Sequence, residues 1–226
     1  MAFSRRLYTL SFHLRPAGLA ISTALAAGLA TVAPAAAQGS QDADDGSAAL
    51  AALGFEYRRT VNGNRSIFHS ASNTQITASN WPAFTNNDYN DLGQAATAYI
   101  HTLMTRELNL RWLELPGSTG NHVLASPDLE TNTDTLLVLI PGSGSVRAGV
   151  WGRQLCVTDS LEHGSAVEWA QEALEKGWAV VSFDPNPNNG GDLNGTPCCV
   201  RSWQTFVESR SPAKRVVVVA HSAGGA

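Results

Sequence analysis

The amino-acid sequence predicts an α/β fold built on an open, mainly parallel β-sheet. Three apolar runs, residues 136–140, 178–183 and 215–220, have the continuous hydrophobicity of strands that are covered on both faces. Helical segments occupy the intervals between them, and this alternation is typical of parallel strands joined by crossover helices. The chain of 226 residues, 43% hydrophobic and 15% charged, has enough apolar material for one such domain. Its composition excludes a collagen, a coiled coil and a wholly disordered chain.

The other elements are predicted from apolar spacing and from turn and capping residues. Apolar side chains recur at helical spacing between residues 88 and 106, and a further helix is expected around residues 198–210. Val61-Asn-Gly-Asn64 predicts the turn of a hairpin within residues 54–68. Ser165-Ala-Val-Glu168 reads as a capping box that opens a helix ending at Gly177. The predicted buried face of that helix comprises Ala166, Trp169, Ala170, Ala173 and Leu174.

Residues 1–37 differ from the rest of the chain and resemble an export signal. They hold three arginines and no acidic residue, then a weakly apolar run that leads to an Ala-x-Ala site ending at Ala37. The pair Arg5 and Arg6 also resembles the core of a twin-arginine signal. We expect a periplasmic or secreted protein, cleaved after Ala37, with an acidic linker over residues 38–50. An organelle transit peptide is the alternative.

The charge balance of the expected mature chain is acidic. The whole chain has 15 basic and 19 acidic residues, a net charge of −4, and loss of the three leader arginines gives about −7. No Lys/Arg cluster remains, so direct binding to nucleic acid is not expected. After the leader there is no strongly apolar run of about 20 residues, so a membrane span is not expected either.

The cysteines and histidines do not form a metal-binding pattern. Cys156 could pair with one of the vicinal Cys198 and Cys199 in an oxidising compartment, or all three could be buried free thiols. The spacing of cysteines and histidines does not match a zinc site, and no cofactor is expected. The scattered histidines that we considered as ligands are His69, His101, His122 and His163.

The third apolar run leads directly into a serine turn, Ala220-His-Ser-Ala-Gly-Gly225. In the nucleophile elbow of α/β hydrolases, a serine lies at a sharp strand-to-helix turn between small residues, because the backbone folds tightly past them. Ser222 would be the nucleophile, with Gly224 as the small residue two positions later. A Gly-rich turn without chemistry is the alternative.

An oxyanion hole needs two backbone amides, and the sequence offers a candidate for each. The amide of Ala223 follows the serine, and Ser143 or Gly144 in the loop after the run 136–140 could supply the second. A tight strand–helix turn is the plain interpretation of this loop. It does not fit a dinucleotide fingerprint, because Gly142 and Gly144 lack the third glycine at the required offset.

A catalytic triad is incomplete in this chain. The acid and the histidine follow the serine in α/β hydrolases, but only four residues follow Ser222. His221 is a poor base for Ser222, because neighbours on a strand point to opposite faces. The sequence therefore predicts a domain that lacks its C-terminal part and that should not hydrolyse a substrate as it stands.

Three segments resemble the Arb-type (argonaute-binding-protein) domain family, which includes the metazoan cotranscriptional regulators and the C-terminal part of some histone deacetylases. They are Leu136–Trp151 with its Gly-Ser-Gly-x-Val-Arg-Ala-Gly-x-Trp run, Phe183–Asn188, and Val218–Gly225. The resemblance covers residues 51–226. It implies an α/β-hydrolase-like three-layer sandwich, with Ser222 at the elbow and Gly142–Gly144 in the oxyanion position. It also marks Arg147, Trp151 and His221 as family motif residues.

Two functions follow from these observations. The serine and the two loops favour a hydrolase of small ester or acyl substrates. The family resemblance favours a non-catalytic module that binds protein partners in RNA-silencing, chromatin or splicing complexes, with a nuclear location. Two features depart from the family: Pro141 stands where relatives usually have His, and an export signal conflicts with a nuclear role.

Overall fold

The computed structural model describes residues 46–85, 89–186 and 191–225, together with the backbone of residues 6–11. The remainder of the predicted leader and linker, residues 1–5 and 12–45, lies outside the described residues. The described strands form a six-stranded sheet and a three-stranded sheet. They are β1 (Arg6–Ser11), β2 (Phe55–Arg59), β3 (Arg65–His69), β4 (Thr74–Gln75), β5 (Arg111–Glu114), β6 (His122–Ala125), β7 (Thr135–Ile140), β8 (Ala179–Phe183) and β9 (Arg215–Ala220).

The larger sheet has the order β1-β9-β7-β8-β6-β5. The neighbours β1/β9, β9/β7 and β7/β8 are parallel, whereas β8/β6 and β6/β5 are antiparallel. The predicted α/β class is therefore confirmed, although the sheet is mixed rather than mainly parallel. The three predicted strands are the adjacent parallel strands β9, β7 and β8. The smaller sheet consists of the predicted hairpin, β2 with β3, and the short strand β4.

The helices connect these strands and cover the sheet. They are α1 (Gly46–Ala52), α2 (Pro82–Thr85), α3 (Tyr89–Thr102), α4 (Arg153–Thr158), α5 (Leu161–Gly164), α6 (Val167–Glu175) and α7 (Thr196–Ser202). Helix α3 continues as a π-helical segment, Leu103–Glu107, and α7 continues as another, Trp203–Ser209. None of the helices in the described ranges is both long and apolar enough to cross a bilayer.

Both faces of the central strands are buried, as their continuous hydrophobicity predicts. Leu137 and Leu139 of β7 pack in the cluster that contains residues of α3, α4 and α6. Leu136 and Val138 point to the other face, into the cluster that contains Phe206. Each such fully buried side chain stabilises the fold by about 1.5–3 kcal/mol relative to an exposed one. The C-terminal ends of these rigid strands carry the candidate site.

The start of α6 differs from the prediction. The N-cap is Ala166, and Ser165 Oγ accepts only from the amide of Val167, at 3.4 Å, so the predicted capping box is not formed. The buried residues of the helix are Val167, Ala170 and Ala173, and the N-cap Ala166 is also buried. Trp169 is 37% exposed, which corrects its assignment to the buried face.

The structure describes parts of the predicted leader and linker. Gly46–Leu50, assigned to the linker, belongs to α1, which packs so closely on α3 that a Cβ on Gly46 would lie 2.0 Å from Tyr99 N. Arg6–Ser11, assigned to the leader, forms β1, which runs parallel to β9 from the pair Arg6/Arg215 to the pair Ser11/Ala220.

The three cysteines are free thiols, so the disulfide interpretation is wrong. Cys156 packs in the cluster on the α3 side of the sheet, and Cys198 packs in the cluster on the α7 side. The sheet therefore separates the two thiols. Burial raises the pKa of Cys156 to about 12 and that of Cys199 to about 11, which keeps both protonated near neutral pH.

Candidate functional site

The candidate site lies where β7 and β9 end side by side. The two strands are parallel neighbours in register from Thr135/Arg215 to Ile140/Ala220. In the sheet, β8 is the neighbour of β7 on one side and β9 is its neighbour on the other side. The chain continues from β7 to β8 and then crosses back over β7 to form β9. Open α/β sheets bind ligands at such a switch point, outside the carboxyl ends of the strands.

Ser222 occupies a tight turn directly after β9. The amide of His221 donates to Ile140 O at 3.0 Å, which extends the β7/β9 pairing by one residue. Ser222 then adopts φ +54°, a left-handed conformation that costs a non-glycine residue about 1–2 kcal/mol. The chain continues as a 3₁₀ turn, Ser222–Gly225, in which Ser222 and Ala223 are exposed. Backbone strain at an exposed non-glycine residue after a buried strand makes this turn a candidate functional site.

The glycines on either side of this turn are needed for close packing. A Cβ on Gly224 would lie 2.6 Å from the carbonyl oxygens of both Ile140 and Pro141. A Cβ on Gly142 would lie 2.9 Å from Ser222 Cβ and 3.3 Å from its hydroxyl oxygen. The structure therefore brings the loop after β7 against the serine, and the predicted oxyanion residues Ser143 and Gly144 are exposed in that loop.

Asn186 and Asp184, which follow β8, hold the loop after β7. Asn186 Nδ2 donates to the carbonyl oxygens of Gly142 and Val146. Asp184 is buried, and its carboxylate accepts from Arg147 Nε and Nη2 and from the amide of Ala148. The side chain of Asp184 is 2% exposed and that of Arg147 is 20% exposed. Hydrogen bonding to this carboxylate raises the pKa of Arg147 above its ordinary value.

Two other residues of the Arg-Ala-Gly-x-Trp run, Gly149 and Trp151, also pack closely against neighbouring segments. Gly149 has φ +77°, and a Cβ there would lie 2.3 Å from Met104 Sδ. The ring of Trp151, which is 7% exposed, lies 6.2 Å from the ring of His221. Arg147 and Trp151 therefore fix the path of the loop beside the serine turn, which gives a physical role to motif residues whose role the sequence did not reveal.

The described residues provide no general base for Ser222. None of them forms a hydrogen bond with its hydroxyl, and His221 turns its ring towards Trp151. Within the described ranges there is also no cluster of His, Cys, Asp or Glu that could hold a metal ion. The arrangement can present a serine hydroxyl and neighbouring amides, but proton transfer from that serine needs a group from elsewhere.

Sequence reasoning missed the role of Asp184 and Asn186. Asp184 follows a buried strand and precedes Pro185, and a polar residue at that edge of a parallel sheet is a usable signal. It considered His101 only as a scattered metal-ligand candidate and did not single out Arg153. His101 Nε2 donates to Ala148 O at 3.0 Å, and burial lowers the pKa of its imidazole.

Comparison with known proteins confirms the family resemblance. The model of the Arb2 domain matches residues 79–192. A FAM172 family protein homologue from Caenorhabditis elegans is 36% identical over 154 residues, which are 62% of this chain and 49% of the relative. A cotranscriptional regulator ARB2A homologue from Gallus gallus is 37% identical over 105 residues, which are 44% of this chain and 25% of the relative.

The chain thus spans between a quarter and half of the length of these relatives. Among solved structures, a histone deacetylase from Saccharomyces cerevisiae aligns with a TM-score of 0.39 at 11% identity, covering 57% of each chain.

Proposed function

The chain belongs to the Arb2 domain family, and from that premise we propose that it is a non-catalytic protein-binding module of a transcription-coupled complex. Relatives named cotranscriptional regulators support this assignment. The observation that carries it is the match of the Arb2 domain model to residues 79–192, the segment that holds β7, β8 and the loop after β7. Protein partners and a nuclear location follow from the same proposal.

Chemical crosslinking in living cells tests this role. A tagged copy of the full reading frame, expressed at its native level in its own host, should crosslink to subunits of the transcription or RNA-processing machinery in the chromatin fraction. The variant Gly224→Ala, which disturbs the turn at Ser222, should lose those crosslinks. Lys176→Ala, at an exposed residue of an exposed ion pair, is the matched control and should retain them. Crosslinks confined to other compartments would contradict the role.

The export prediction is decided by the mature N-terminus. Mass spectrometry of the protein purified from its host should find residues 1–37 intact if the nuclear assignment is correct. Strand β1 belongs to this segment, so its removal would also expose the outer edge of β9. An N-terminus at Gln38 would instead support export and would contradict the nuclear assignment.

A second candidate function is hydrolysis of an ester or acyl substrate by Ser222. Two observations favour it: the left-handed backbone of Ser222, and the glycines that pack the turn against the loop after β7. Backbone strain at a non-glycine residue is typical of functional sites. In this proposal the fold is an α/β-hydrolase-like three-layer sandwich, the amides of Ala223 and of Ser143 or Gly144 bind the oxyanion, and the acid and histidine come from outside the described residues.

A fluorophosphonate probe separates the two functions. The full reading frame is treated with the probe beside Ser222→Ala and beside Ser72→Ala, which removes an exposed hydroxyl remote from the turn. A hydrolase should be labelled in the wild type and in Ser72→Ala but not in Ser222→Ala. A folded wild-type protein that takes up no label rules the hydrolase out and leaves the binding module.

A further inference from the structure

A cavity of about 440 Å³ lies beside the loop after β7, on the side of helix α3. Helix α3 contributes Asn90, Gln94 and His101, the loop contributes Ser145 and Arg147, and α4 begins with Arg153 at its wall. No residue that lines the cavity carries a carboxylate. Two guanidinium groups at a wall without a carboxylate are unexpected in a chain of net charge −4, because its average surface is acidic.

Arg153 is buried with a charge that the described residues do not neutralise. The residue is 9% exposed. Its Nη2 donates to Asn90 Oδ1 at 2.9 Å, and its guanidinium carbon lies 5.4 Å from the centre of the Tyr89 ring. Gly93 lets the guanidinium lie on α3, because a Cβ there would come within 2.7 Å of Nε.

No ion pair among the described residues includes Arg153. Its guanidinium contacts the Asn90 amide and the Tyr89 ring, and it packs on α3 at Gly93. Burying an unpaired charge costs free energy, and an anion bound next to the Arg153 guanidinium would offset that cost.

Arg147 adds free donors without adding net charge. Its Nε and Nη2 bind Asp184, which neutralises the guanidinium, while no described residue accepts from its Nη1. The exposed hydroxyl of Ser145 and the exposed amide of Gln94 complete the polar wall. Among the described residues, the cavity therefore has several N–H and O–H donors and one positive charge without an acidic partner, that of Arg153.

We propose that this cavity binds a single carboxylate group, held by Arg153 and by the free edge of Arg147. A guanidinium matches the planar geometry of a carboxylate with two parallel hydrogen bonds. One negative charge balances the net charge of +1, whereas a phosphate dianion would bring excess negative charge next to the buried Asp184. The volume also accommodates the few carbon atoms that carry the carboxylate. The carboxylate can come from a small molecule or from an acidic side chain of a protein partner.

Isothermal titration calorimetry of the full chain tests the site with two carboxylates and their neutral isosteres. Butyrate represents a small molecule, and N-acetyl-glutamate α-methylamide represents an acidic side chain; butyramide and the corresponding glutamine derivative are the controls. We expect saturable binding of the carboxylates at about 1 mM or below, and at least tenfold weaker binding of the amides. Tighter binding of butyrate indicates a small-molecule ligand, and tighter binding of the glutamate derivative indicates a protein partner.

Variants link the binding to the cavity. Arg153→Met keeps most of the side-chain volume and should weaken carboxylate binding at least tenfold. Arg201→Met, at an exposed arginine that bonds Pro116 O, is the matched control and should bind within twofold of the wild type. Gln94→Glu places a competing carboxylate at an exposed position of α3, so it should also weaken binding tenfold. Because that position is exposed, Gln94→Glu gives an answer even if Arg153→Met does not fold.

Three results would overturn the proposal. One is equal affinity for the carboxylates and their amides. Another is at least tenfold tighter binding of inorganic phosphate than of either carboxylate. The third is wild-type affinity in folded Arg153→Met, or in Gln94→Glu where Arg153→Met does not fold.

Discussion

The substitution Asp184→Asn tests whether the loop beside Ser222 is held by the buried ion pair with Arg147. Asparagine has the shape of aspartate and keeps an oxygen for the amide of Ala148, so only the charge and the Arg147 contacts are lost. Breaking a buried ion pair costs about 3–5 kcal/mol. Since 20% of the Arg147 side chain is exposed and water can solvate part of it, we expect about 3 kcal/mol.

The free energy of unfolding is measured by urea titration with tryptophan fluorescence at pH 7, and the slope m should not change. The control is Asp134→Asn, which breaks an ion pair with Arg215 whose side chains are 62% and 51% exposed, and which should cost less than about 1 kcal/mol. In a double-mutant cycle, Arg147→Met and Asp184→Asn should show a coupling energy of about 2 kcal/mol.

The hydrogen bond to Asp184 raises the pKa of Arg147 above its ordinary value, so the stabilisation by this arginine is present below that ordinary value and is lost only as the pH rises through the raised pKa. We therefore expect the cost of Asp184→Asn to be the same at pH 7 and pH 9. A loss no larger than that of Asp134→Asn would refute the assignment.

Three further predictions concern the turn and the buried thiol. Gly224→Ala places a Cβ 2.6 Å from two carbonyl oxygens and should cost about 3 kcal/mol in urea unfolding, whereas Gly152→Ala, with its nearest atom at 3.5 Å, should change stability by less than about 0.5 kcal/mol; equal effects would contradict the close packing. Ser222→Gly should be more stable than Ser222→Ala by about 1 kcal/mol, because only glycine adopts φ +54° without strain; equal stability would argue against a strained turn. Burial raises the pKa of Cys156 from 9.0 to about 12, so its stabilisation is complete below pH 9 and declines above it by about 1.4 kcal/mol per pH unit. Cys156→Ala should remove that slope between pH 9 and 10, and an unchanged slope would show that another group titrates.

The central strands could be predicted because their signal is local. Each is a continuous apolar run, and burial on both faces leaves no alternation that could be mistaken for an amphipathic element. The runs 136–140, 178–183 and 215–220 match β7, β8 and β9 within one residue at either end. Strands β5 and β6 were not predicted, because β5 is largely exposed and β6 finds its place by pairing with β8, Val123 opposite Phe183.

The candidate site also contains features that the sequence predicts and features that it does not. The sharp turn at Ser222 could be predicted because such a turn requires small neighbours such as Gly224, and this requirement is visible in five letters of sequence. A catalytic role for Ser222 stays a prediction. The assignment of Trp169 to a buried face failed because this residue lies at the margin of the face that contains Ala170 and Ala173, and the width of the buried face is set by the tertiary packing.

The chain's local pattern was sufficient to establish the α/β class, the three central strands, the serine turn and the family. Tertiary structure was needed to show that Arg147 pairs with Asp184, 37 residues away, that Arg153 has no acidic partner among the described residues, and that the sheet separates Cys156 from Cys198. The burial of apolar side chains can be predicted from the hydrophobic pattern of consecutive residues. The partner of a buried charge or thiol depends on which distant segments the fold brings together, and only the packed chain defines that.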